Sequence, residues 1–106
     1  MKSFGFFAVV LLSIAAVFSF AACESNSRGA KLFREGECIQ CHTINGKGGA
    51  VGPNLTLVGS RRTKDWIVQQ IKKPSSHNPS TAMPSFAGKM SEQDINDIAE
   101  YLAGLK

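Results

Sequence analysis

Cys38-Ile39-Gln40-Cys41-His42 is the stretch from which the rest of the chain is read. Two cysteines three positions apart, followed at once by a histidine, form the pattern of covalent haem attachment. Each thiol adds to one porphyrin vinyl group, and about one helical turn between the cysteines matches the spacing of the vinyls. His42, beside the second anchor, then brings a ring nitrogen under the iron as proximal ligand. Three other readings are weaker. Structural zinc wants four Cys or His ligands in paired clusters, and beyond this stretch the chain offers only Cys23 and His77. A redox dithiol wants its C-x-x-C beside a βαβ pattern, which is absent. A plain disulfide is the third. The haem reading requires an exported chain.

The N-terminus meets that requirement. Lys2 precedes Phe4 to Ala22, nineteen residues without a charge, ending in Ala21-Ala22 before Cys23. Residues 1–22 resemble a secretory signal peptide and stand outside fold reasoning. Phe20-Ala21-Ala22-Cys23 resembles a bacterial lipobox, whose cysteine is diacylated and becomes the new N-terminus; Phe20 replaces the usual Leu. Two alternatives stay open. Ordinary cleavage after Ala21 would leave an unpaired thiol on an exported protein. A retained segment, at ~1.5 Å per residue, would span ~29 Å against a ~30 Å hydrocarbon core. The lipid anchor and the retained helix both place the domain at a membrane, facing the periplasm or the outer side of the cytoplasmic membrane.

Removing residues 1–22 leaves 84 residues, a single small domain. A chain of this size has little core of its own, and a buried haem would supply much of the remainder. Lys2 is the only charge lost, so eleven basic and eight acidic side chains remain. Two haem propionates would nearly cancel that excess. No basic stripe with interleaved aromatics occurs, so nucleic acid is not an expected partner.

Residues 23–26 read as a tether, and a helix follows from Ser27 to Glu35, with Ser27 as N-cap and Gly36 as stop. Leu32 and Phe33 form its apolar side, and Gly29, one turn before Phe33, would let another helix approach. Thr43 to Gly52 holds four glycines and reads as a loop, without the order of a phosphate loop. Pro53 can accept through its carbonyl from the outer nitrogen of His42, a bond that orients the ring and raises its basicity. A second helix is expected over Lys64–Lys73, between the Thr63 cap and Pro74. Trp66, Ile67, Gln70 and Ile71 recur on it at helical spacing. The Trp66 indole N–H wants a partner, and a haem propionate is one candidate. Pro74 to Ala82 reads as an ordered loop leading to Met83-Pro84. The proline pushes Met83 toward extended backbone, which suits a ligand presented to a metal. The last helix is expected over Ser91–Leu105, with Ser91 and Asp94 approximating a capping box. Ile95, Ile98, Leu102 and Leu105 make its apolar face. No segment alternates with period two, so the fold class is all-α.

Gly29, Phe33, Cys38-x-x-Cys41-His42, Gly52-Pro53-Asn54-Leu55, Met83-Pro84-x-Phe86 and Tyr101-Leu102 stand in one order along the chain. As a set they resemble class I cytochrome c, and the resemblance covers residues 27 to 105. It implies three or four helices wrapped around one covalent haem c held by Cys38 and Cys41, with the first and last helices crossing near Gly29 and Tyr101. It also implies His42 and Met83 as axial ligands, with Pro53 as the partner of His42. Met90 and His77 are the alternatives for the sixth position, and Met90 is better explained as a helix staple. The implied function is a membrane-tethered, monomeric one-electron carrier working between redox proteins. An oxidase subunit and a haem enzyme or gas sensor are the rival classes. Lys31, Lys47, Arg61, Arg62, Lys72, Lys73 and Lys89 are candidates for a cationic ring around the haem edge.

Overall fold

A computed structural model describes residues 27–106; residues 1–26, with Cys23 and the stretches expected to be a signal peptide and a tether, lie outside them. Its first helix, α1 (Arg28–Glu35), starts where a side chain can cap it. Ser27 Oγ accepts from the Ala30 amide at 3.1 Å, satisfying one of the free N–H groups of the first turn. The one-turn helix α2 (Cys38–Cys41) carries the two cysteines. Thr63 Oγ1 caps α3 (Lys64–Lys72) through the Trp66 amide at 3.2 Å, and Ser91 Oγ caps α4 (Glu92–Ala103) through Asp94 at 3.0 Å. All three caps are the residues expected from the sequence.

The core forms where the apolar stripes of α1, α3 and α4 meet. Ala30 and Phe33 from α1, Ile67 and Ile71 from α3, and Ile95, Ile98, Ala99 and Leu102 from α4 are all buried. Gly29 sets how closely α1 and α4 approach. A Cβ at Gly29 would lie 2.1 Å from the Asp97 carbonyl oxygen and 2.8 Å from Tyr101 Cβ, so only hydrogen fits. One turn along, the rings of Phe33 and Tyr101 sit 6.4 Å apart with planes tilted by 59°, within the separation at which aromatic pairs attract. Outside the crossing, the Arg28 guanidinium pairs with Asp94 and Asp97. Arg28, and then Gln93, hold the Asp97 carboxyl below its ordinary value. The pair therefore contributes at neutral pH and fades as pH falls through that lowered value; exposure to water keeps the contribution small.

Four details differ from the sequence reading. Thr43–Ile44 (β1) and Lys47–Gly48 (β2) pair antiparallel, Thr43 opposite Gly48, inside the stretch read as a loop. Asn45 and Gly46 turn the hairpin with φ of 52° and 80°, the left-handed pair a two-residue turn requires. The stretch after α3 opens with a 3₁₀ turn, Pro74–Ser76, and another spans Val58–Ser60. The last helix stops at Ala103, two residues early. Gly104 ends it, and the Leu105 carbonyl instead accepts from Gly59 N–H at 2.7 Å. On α1, Ala30 joins Phe33 in the core, whereas Leu32 is half-buried.

Candidate haem site

α2 presents its cysteines to a cavity of about 640 Å³, lined also by His42, Trp66, Gln70 and Met83. Cys38 and Cys41 are each half-buried and unpaired. Burial pushes the Cys38 thiol above its ordinary value. His42 leaves α2 in extended conformation, φ −115° and ψ 145°, which carries its ring away from the helix axis. Its Nδ1 lies 2.8 Å from the Pro53 carbonyl oxygen, so the outer nitrogen donates there and Nε2 remains free to bind a metal. That bond survives because the chain folds back over α2. Gly49 N–H donates to Ile39 O at 2.9 Å, Gly52 N–H to Cys41 O at 2.7 Å, and Leu55 N–H to Thr43 O at 2.8 Å.

The far wall comes from the stretch between α3 and α4. Phe86 N–H donates to Ile71 O at 3.0 Å and Ser85 Oγ to Lys72 O at 2.6 Å, pinning the segment to the end of α3. Just before these anchors, Met83 N–H donates to Thr81 Oγ1 at 3.1 Å. These bonds hold the chain on both sides of Met83, whose thioether is half-buried and accepts from Gln70 Nε2 at 3.4 Å. Met90 does not line the cavity; it packs against the core as a half-buried side chain. Trp66 lines it, with His77 stacked on its ring and the Arg62 guanidinium 4.1 Å from the ring centroid. Cys23 lies outside the described residues.

Of the seven candidate docking cations, Arg61 and Arg62 line the cavity. Lys72 instead pairs with Glu92 at 2.9 Å, and Lys89 sits over the Phe86 ring. Gln70 was readable only as part of the α3 stripe. Its signal was there: a polar residue at an inward-facing position between Ile67 and Ile71.

The residues present fit a haem. A flat apolar macrocycle needs an apolar cleft of this order, two thiols on one side of it, and an imidazole with a free nitrogen. All three occur around one cavity. The chain is thereby an α-helical domain built to hold a haem. The model of the Cytochrome c family matches residues 27–106, and the chain belongs to that family as a class I c-type cytochrome with a covalently attached haem c. It is 38% identical over 98 residues to cytochrome c of Theileria parva, covering 73% of this chain and 83% of the relative. Cytochrome c6 of Pyropia yezoensis is 34% identical over 105 residues, covering 93% and 83%. Cytochrome c oxidase subunit 2 of Alkalihalophilus pseudofirmus is 32% identical over 88 residues, covering 76% of this chain and 25% of the subunit. The chain thus spans about a quarter of that subunit's length. The function these relationships support is haem-based electron transfer.

Proposed function

We propose that the chain is a one-electron carrier whose haem is held by thioethers from Cys38 and Cys41 and ligated by His42 and Met83. The bound haem supplies a one-electron iron couple. The chain supplies two ligands from well-anchored backbone, so little has to move when the charge changes. Met83, on the same cavity as the C-x-x-C-H residues and stiffened by Pro84, is the observation that carries the reading. A thioether is a soft neutral donor that favours the ferrous state, giving a higher potential than a second histidine would. Trp66 and the neighbouring Arg61 and Arg62 are the groups suited to the haem propionates. An acidic redox partner would dock on that side. The likeness to an oxidase subunit supports a terminal oxidase as one such partner. The apolar N-terminal segment and Cys23 support a lipid-tethered protein outside the cytoplasm, with an uncleaved helix as the other form of anchor.

Met83→Ala in the holoprotein tests the ligand set. It should abolish the ferric sulfur-to-iron charge-transfer band, allow carbon monoxide to bind the ferrous form and lower the reduction potential. Met90→Ala should leave the spectrum unchanged. A band lost in Met90→Ala and kept in Met83→Ala would transfer the role to Met90. Intact mass of the same membrane-derived protein should place an acylated Cys23 at the N-terminus; residues 1–22 still attached would favour the retained helix.

A further inference from the structure

Gln70 makes two polar contacts from the inner stripe of α3. Its Nε2 donates to Met83 Sδ at 3.4 Å, and its Oε1 lies 2.8 Å from His77 Nδ1. The sulfur fixes the direction of every bond in this row. A thioether has lone pairs and no hydrogen, so only the NH₂ side of an amide can face it. Oε1 then faces His77, and an amide oxygen only accepts. Nδ1 of His77 therefore carries the proton, and in the neutral ring Nε2 is the bare nitrogen. The ring is held from a second direction by its stack on Trp66, with centroids 4.0 Å apart and planes 3° from parallel.

We propose that His77 and Gln70 form a positioning relay for the Met83 thioether, in which His77 locks the Gln70 amide so that its N–H is aimed at the sulfur. The relay rests on the ligand reading above. One sulfur lone pair accepts from Gln70, and another remains for the iron. A hydrogen bond to the thioether draws density from it and weakens its donation to the metal. Ferric iron loses more by that than ferrous iron, so the relay raises the potential. Without the His77 N–H, the amide can turn its oxygen toward the sulfur, where lone pairs face each other, and the aim is lost. His77 touches neither iron nor electron partner in this account; it acts through Gln70.

Holoprotein variants separate this role from a merely structural one. His77→Phe keeps a flat ring on Trp66 and removes the donor. His77→Asn puts an amide N–H near the place of Nδ1. Gln70→Leu removes the middle of the row. Reduction potentials from spectroelectrochemical titration should show the ferrous-to-ferric ratio of His77→Phe at a fixed applied potential falling about threefold, a shift of ~28 mV at ~59 mV per tenfold. His77→Asn should recover most of that loss. In the Gln70→Leu background, His77→Phe should shift the potential no further, the signature of a coupled pair. Nitrogen-15 spectra of the diamagnetic ferrous protein should show His77 protonated at Nδ1. An unchanged potential in His77→Phe, or the same shift with and without Gln70, overturns the relay while the charge-transfer band stands. A wild type lacking that band overturns the ligand reading, and the relay with it.

Discussion

Gly52 is where one hydrogen atom decides the geometry of the His42 ring. A Cβ there would lie 2.6 Å from His42 Cε1 and 2.8 Å from Nδ1, well inside contact distance. The glycine cannot retreat, because its own N–H is bonded to the Cys41 carbonyl at 2.7 Å. In Gly52→Ala the imidazole has to yield, and the 2.8 Å bond to Pro53 is the first thing it gives up. With His42 as axial ligand, as proposed, the ring becomes less basic and holds ferric iron less well. The reduction potential should rise. Removing such an orienting partner costs about tenfold or more in metal affinity or activity, so spectroelectrochemical titration should resolve the rise. An equal potential for the variant and wild type would show that Gly52 has no hold on the ring. Pro53→Ala is the companion measurement: it keeps the carbonyl, and should leave the potential close to wild type.

The contact of α1 with α4 is the element on which the core closes, and Gly29 is its narrowest point. Gly29→Ala should cost about 1–3 kcal/mol, the usual range for forcing a methyl group into a packed contact. Gly104→Ala is the control, since its Cβ would meet nothing nearer than 3.4 Å; thermal melts should separate the two variants clearly. These elements were legible because α1, α3 and α4 each announce themselves twice, by a capping hydroxyl and by a stripe. Ser27, Thr63 and Ser91 supply the hydroxyls, and Phe33, Ile67, Ile71, Ile95, Ile98 and Leu102 the stripes. The hairpin was not read, although Asn45-Gly46 is a strong turn signal. Its strands are two residues each, too short to alternate, and what holds the surrounding loop is remote: Ile39 accepts from Gly49, and Thr43 from Leu55. The site divides in the same way. Cys38, Cys41 and His42 are adjacent in sequence and give their chemistry by spacing, and Pro84 marks Met83. Gln70 and His77 acquire a role only when folding brings the amide to the sulfur and the imidazole to the amide, so the sequence offered no more than a polar residue at an inward-facing position.

At the scale of the whole molecule, the haem and the fold depend on each other. Phe33, Ile67, Ile71, Phe86, Ile98 and Leu102 belong to the core and at the same time line the cavity. A closed void of about 640 Å³ would cost ~15 kcal/mol at ~24 cal/mol per Å³. That matches the upper end of an ordinary domain's whole stability, about 5–15 kcal/mol. This cavity opens to solvent, so an empty site would be wetted instead, leaving those side chains against water. Neither state can be stable for a chain with so small a core, and the protein without haem should collapse or loosen. We expect Cys38→Ala/Cys41→Ala, expressed as the full chain, to lack haem on a denaturing gel stained for peroxidase activity. Its far-ultraviolet circular dichroism should retain part of the helix signal, because the caps of α1, α3 and α4 are local. Its thermal transition should be broad and its amides poorly protected from exchange, since Ile98 and Leu102 no longer have a partner across the cavity. Haem added back without the thioethers should sharpen the transition by binding the folded state alone, an effect that grows with haem concentration. A double variant that melts cooperatively near the wild-type temperature with no haem present would mean that the helices close the core by themselves. The cavity would then be a binding site on a finished fold, and the haem no part of its core.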